Sequence, residues 1–108
     1  MTMNVPQRNL KVQKNLQKIK EVDNAAIDRL IEANLSGKLD SYLKRYAKPD
    51  QEILLNITLE EDAKNRFSGS LLIKADGTEY HSSRDMFDSL EDLVNHLFDH
   101  IKEQMTRK

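Results

Sequence analysis

Four aliphatic residues at alternate positions, Ile53, Leu55, Ile57 and Leu59, constrain this chain more than any other feature. Asn56, Thr58 and Glu60 stand between them, and a side-chain period of two is the mark of a strand with one buried face. Glu61-Asp62-Ala63-Lys64-Asn65 reads as a polar loop, after which Phe67, Leu71 and Ile73 share a parity and end at Ala75. Asp76-Gly77 follows. It is the strongest hairpin signal in the chain, because a type I′ turn needs positive φ at both central positions and these two residues tolerate it. Residues 78–82 then return as the third strand of a meander. Leu54 and Leu72 fall on the opposite parity, so the other face is not wholly polar.

A sheet with one apolar face needs a cover, and the sequence supplies two helices. Asp23 is a good N-cap, with Ala25 and Ala26 behind it as strong helix formers. Ile27, Leu30, Ile31, Leu35, Leu39, Leu43 and Tyr46 then recur at three or four residues, predicting one helix of more than five turns that runs through Gly37 and stops at Pro49. Ser89 with Asp92 three residues on resembles a capping box. Leu90, Leu93, Val94, Leu97, Phe98, Ile101 and Met105 form the stripe of the second helix. Ahead of both, Leu10 and Val12 fit a short strand, with lysines that discourage unwanted edge pairing. Residues 13–20 fit a helical lead-in as well, since Leu16, Ile19 and Val22 recur every three residues. The expected fold is α+β, a β-α-β-β-β-α two-layer sandwich with both helices on one face of a mostly antiparallel four-stranded sheet. Residues 1–108 read as one domain, with 1–9 a flexible arm.

Composition narrows the function. With 38 % hydrophobic and 32 % charged residues in 108, the chain is too apolar for a disordered tail and too charged for a membrane protein. The first ten residues are polar, contain Pro6 and do not read as a secretory signal, so the expected location is cytoplasmic. Cysteine is absent, which excludes disulfides, thiolate nucleophiles and Cys-based zinc sites. The net charge of −1 conceals an asymmetry: residues 1–48 hold ten bases against five acids, and 49–108 hold seven against thirteen. A basic half can meet a polyanion. The competing explanation is that the halves attract each other or are solvated separately. The candidates for phosphate contact are Lys11, Lys14, Lys18 and Lys20 near the N-terminus, with Arg29, Lys38, Lys44 and Arg45 on the first helix. Each such contact releases counterions and weakens with salt. Duplex RNA is recognised mostly through shape and backbone, so a basic two-helix surface suffices.

Other constellations are weaker. Tyr42, Tyr46 and Tyr80 have the chemistry to stack on bases, but such residues more often complete a core edge. His96 and His100 share a helix face at i,i+4, the outer frame of a zinc-protease helix, yet Leu97 stands where the catalytic Glu belongs and no third ligand is evident. No metal site, cofactor or small-molecule substrate is implied. No nucleophile constellation or phosphate-cradling glycine loop appears, so an enzyme is not expected.

The element order, with Asp85-Met86-Phe87 entering the final helix after a hairpin, resembles the ribosome hibernation promoting factor family. That family is also called ribosome-associated inhibitor A, protein Y or sigma-54 modulation protein. Lys20-Glu21-Val22-Asp23 stands at the entry to the first helix, and Lys38-Leu39-Asp40-Ser41-Tyr42-Leu43-Lys44-Arg45-Tyr46 resembles its Leu/Lys/Tyr-rich end. Ile53-Leu54-Leu55-Asn56-Ile57-Thr58-Leu59-Glu60 resembles the second strand, and Leu71-Leu72-Ile73-Lys74-Ala75-Asp76-Gly77 the third with its turn. The likeness spans roughly residues 10–105 as many weak matches. It implies a double-stranded-RNA-binding-like domain that sits on the small ribosomal subunit against 16S-type rRNA and silences idle ribosomes, here as a short form. It also adds Lys102, Arg107 and Lys108 to the cations of Lys38, Lys44 and Arg45. The sequence departs from the pattern on the second helix, where His96 and Asp99 replace bases and Asp88, Glu91 and Asp92 lie upstream. A second expectation follows: a family-like domain that has lost rRNA contact and acts in protein interaction or weak homodimerisation, through Leu54 and Leu72 on the open sheet face.

Overall fold

The computed structural model of the protein describes residues 10–21, 23–43, 52–75 and 77–107. Its elements are β1 (Leu10–Lys18), α1 (Asn24–Asn34), a π-helical turn (Leu35–Leu39), α2 (Asp40–Leu43), β2 (Ile53–Glu61), β3 (Phe67–Ala75), β4 (Thr78–Phe87) and α3 (Leu90–Thr106). The four strands form one sheet in the order β1-β2-β3-β4. β1 and β2 are parallel, the helical segment being the crossover that such a pair requires, and the other two pairings are antiparallel. The expected α+β two-layer sandwich is the observed one.

Alternation sets the layers. Ile53, Leu55, Ile57, Leu59, Leu71, Ile73, Ala75 and Tyr80 are buried on one face, against Leu93, Val94, Leu97, Phe98 and Ile101 of α3. Ile27, Ile31, Leu35 and Leu39 complete this core from the first helical segment. Ala75 pairs with Thr78, which leaves a two-residue connection in which Gly77 takes φ +77°, as the Asp-Gly signal requires. The caps also follow the sequence: an Asp23 side-chain oxygen accepts from the Ala26 N–H at 3.1 Å, and the Ser89 hydroxyl accepts from the Asp92 N–H at 3.3 Å.

Three expectations need correction. In place of the helical lead-in over residues 13–20, the strand that begins at Leu10 continues to Lys18, because Gln13, Lys14, Asn15 and Lys18 pair with β2 across a bulge. The third meander strand does not end at Ser82 but runs to Phe87, so Asp85-Met86-Phe87 closes β4 rather than entering the helix. A bulge between β3 and β4 falls there, with Met86 at φ +68°. Lastly, the first helix does run through Gly37, but not as a uniform α-helix. Its buried residues stand four apart, at 27, 31, 35 and 39, and on a 3.6-residue helix each such step drifts about 40° round the axis. The wider π turn takes back that drift, and Leu35 and Leu39 stay 2 % and 0 % exposed. Tyr46 and Pro49 lie outside the described residues.

Candidate nucleic-acid interface

β1 carries the densest run of sequence-predicted cations, and strand geometry divides them. Lys11 lines up with Leu54, Gln13 with Asn56 and Asn15 with Thr58 on the open face of the sheet, away from the helices. Lys14 lines up with Ile57 on the helix side, where it forms an ion pair with Asp28 of α1. The register shifts between Asn15 and Lys18, and beyond this bulge Lys18 returns opposite Glu60, in line with the open face. Along its outer side β1 therefore presents Lys11, Gln13, Asn15 and Lys18, all exposed.

With Lys14, three further candidates, Lys11, Lys20 and Lys38, have partners inside the fold. The Lys11 amine lies 3.5 Å from Glu52, both side chains being well exposed. Such pairs contribute little and exchange freely with other ligands. Lys20 donates to the Asn65 side-chain oxygen at 3.1 Å, and its backbone N–H bonds Glu61, fastening the end of β1 to the β2–β3 loop. Lys38 is largely covered: its amine donates to the Asn95 carbonyl at 3.1 Å and pairs with Asp99 at 2.7 Å, a clamp between the π turn and α3. Beside it, Asn34 is 3 % exposed and its side-chain amide donates to Leu30 O and Asn95 Oδ1. Lys18, Arg29, Lys102 and Arg107 have no carboxylate partner among the described residues. Lys44, Arg45 and Lys108 lie outside them.

The described part of the helical layer is acidic on balance. Among the described residues, α1, the π turn, α2, α3 and Arg107 beyond it carry seven carboxylates against four bases. Asp28, Glu32, Asp40, Glu91, Asp92, Asp99 and Glu103 thus outnumber Arg29, Lys38, Lys102 and Arg107. Within the helical layer Lys38 is held by Asp99, and Lys14 of β1 reaches Asp28 of α1.

The other candidates have structural duties. Tyr80 is 4 % exposed in the core, and the Tyr42 hydroxyl lies 3.0 Å from that of Thr106. The two α3 imidazoles take different partners: His96 Nδ1 faces the Asp92 carbonyl at 2.8 Å and its ring packs on Phe87, while His100 Nδ1 lies 3.3 Å from the Ser82 hydroxyl. No group of three potential metal ligands occurs among the described residues. The β4 edge is guarded by Gln104 of α3, whose amide accepts from the His81 N–H at 3.3 Å and donates to the His81 carbonyl at 2.6 Å, in the manner of a neighbouring strand. Leu54 and Leu72 are half-buried on the open face, beside Lys74 and Asn56 respectively. No helix is long and apolar enough to cross a membrane among the described residues.

What the sequence reading missed is the row of amides between the β1 lysines. Once β1 is known to be a strand, Lys11, Gln13 and Asn15 alternate on one face. The signal was present but illegible while a helix was still open for the same stretch.

This element order, with a parallel first pair and both helices on one face, defines the class as an α+β two-layer sandwich built on a mixed four-stranded sheet. Two solved structures share it. The Protein Y N-terminal domain of Thermus thermophilus matches with a TM-score of 0.63 at 17 % identity, over 89 % of this chain and 96 % of that one. A ribosomal subunit interface protein from Coxiella burnetii matches with a TM-score of 0.61 at 16 % identity, over 89 % and 93 %. No family model matches the sequence, and no curated protein does.

Proposed function

We propose that the protein is a ribosome-associated factor that binds small-subunit rRNA and holds translation in check, without catalysing a reaction. The observation that carries this reading is the shared fold: a domain of Protein Y and a ribosomal subunit interface protein each superpose on 89 % of the chain. The exposed lysines of β1 support it with the charge that a polyanion needs. Lys44, Arg45 and Lys48 add three cations in the sequence between α2 and β2.

The test is co-sedimentation with purified small subunits at about 50 and about 200 mM salt, where an interface of several phosphate contacts weakens by orders of magnitude. The protein is expected to pellet at low salt and to be released at high salt, and Lys11→Gln with Lys18→Gln should sharply reduce pelleting with little change in thermal stability. Lys64→Glu, in the β2–β3 loop, is the control. Pelleting that is unaffected by salt and by these changes would overturn the reading.

The acidic helical surface favours a second reading, a domain whose partner is a protein. Under it, the wild type fails to pellet with subunits and instead elutes as a complex or dimer.

A further inference from the structure

The open side of β1 has a chemistry that duplex binding does not call for. Gln13, Asn15 and Gln17 on β1, with Asn56 on β2, gather four carboxamides round the β1 bulge. They line a surface groove of about 510 Å³ together with Lys14 and Leu16. Asn15 and Gln17 continue into a second hollow of about 180 Å³, bounded by Lys18, Thr58 and Glu60. Gln13, Asn15 and Gln17 are exposed and Asn56 is half-buried. Asn15 uses one oxygen to accept from the Gln17 N–H at 3.4 Å, which fixes the side chain at the bulge. A planar carboxamide presents donor and acceptor together, matching the edge of a nucleobase. Lysines bracket the row, Lys11 before it and Lys18 after it, about 20 Å apart at strand rise.

An A-form duplex makes less use of such a row. Its major-groove edges are out of reach and its shallow minor groove is read mostly through shape, 2′-hydroxyls and phosphates, whereas unpaired RNA splays its bases outward with their hydrogen-bonding edges free. The helical surface is less hospitable to a polyanion, with seven carboxylates against four bases among the described residues, and Gln104 closes the opposite edge of the sheet at His81.

We propose that the β1–β2 groove binds an unpaired RNA segment, its base edges taken by Gln13, Asn15, Gln17 and Asn56 and its phosphates by Lys11 and Lys18. This rests on the rRNA-binding reading and deepens it: the docking surface is the outer strand and open face of the sheet, and the ligand is single-stranded.

The probes are a labelled 12-nucleotide RNA of non-self-complementary sequence and the duplex it forms with its complement, titrated with the full chain by fluorescence anisotropy at several salt concentrations. The single strand should bind more tightly than the duplex. Gln13→Ala with Gln17→Ala should weaken single-strand binding by about ten-fold and leave the salt slope unchanged, since no charge is removed. Lys11→Gln with Lys18→Gln should lower that slope by between about one and two. Circular dichroism of each variant checks that the fold is intact. Equal affinity for single strand and duplex, or a greater loss from Arg29→Gln with Lys102→Gln than from the β1 variants, overturns the proposal. Sedimentation separates the two levels. If wild type and the glutamine variant pellet with subunits equally, the groove is refuted and the ribosomal reading stands. If the oligonucleotide is bound as expected but subunits are not, the groove stands and the ribosomal reading falls. If neither is bound, both fall.

Discussion

Gly69 is the position at which the smallest chemical change should have the most instructive effect. It sits in β3 opposite Leu59, at the bulge facing Arg84, and a Cβ built there would lie 2.6 Å from the Thr58 carbonyl oxygen and 2.8 Å from a Leu59 methyl. Ordinary contact begins near 3.4 Å, so the neighbours must retreat by more than half an ångström. Neither can do so freely: the Thr58 oxygen is backbone in the β2–β3 ladder, and Leu59 is 1 % exposed in the core. Overpacking of this kind costs about 1–3 kcal/mol. Replacing a strand glycine returns about 0.5–1 kcal/mol through the lower freedom of the unfolded chain. Gly69→Ala should therefore destabilise by about 1–2 kcal/mol, lowering the melting temperature by roughly 5–15 °C for a domain of this size. Gly37 provides the contrast. It is helical with no atom within 4 Å of an added Cβ, so Gly37→Ala should stabilise by up to about 1 kcal/mol. Thermal melts followed by circular dichroism, with urea midpoints as a second reading, decide the matter. If Gly69→Ala melts at or above the wild type, the close approach of β2 and β3 is not as described; if Gly37→Ala melts below it, the open space at the π turn is not.

Two further predictions concern charges. In the β2–β3 loop the Asp62 carboxylate accepts from the backbone N–H groups of Arg66 and Lys64 at 2.9 and 2.8 Å, and from the Arg66 guanidinium at 3.3 Å. These contacts, the Arg66 backbone N–H foremost, hold its pKa below the ordinary 3.8. A carboxyl whose folded value is the lower one stabilises the loop above the ordinary value and loses that effect as pH falls through the folded value. Carboxyl and amide NMR titrations should show Asp62 and the Lys64 and Arg66 amides moving together below pH 3.8; a common midpoint above it would contradict the geometry. The second prediction is for Lys38→Met, which removes the amine from Asn95 and Asp99 and should cost about 1–2 kcal/mol in urea unfolding while leaving RNA affinity unchanged. Unchanged stability with weakened RNA binding would make Lys38 a nucleic-acid ligand instead of an interhelical clamp.

Wherever the controlling physics is short in range, the sequence already determined the outcome. The alternation from Ile53 to Leu59 chose the buried face of β2, Asp-Gly chose the β3–β4 connection, and Asp23 and Ser89 chose where the helices begin. Each depends on residues within about four positions, so periodicity and capping chemistry suffice. What only the tertiary structure decided was long-range. Residues 13–18 are compatible with helix or strand until β2, some forty residues away, offers them a ladder. The π turn arises because buried residues four apart must all face one sheet. Lys14 meets Asp28 and Lys38 meets Asp99 through packing that no local pattern encodes, and this takes two of the predicted phosphate contacts into the fold. The amide row on β1 likewise acquires meaning only once the strand direction assigns Lys11, Gln13 and Asn15 to the open face. A charge count records how many cations a chain holds, whereas their partners, and hence the surface left for a ligand, are fixed by where the backbone carries them.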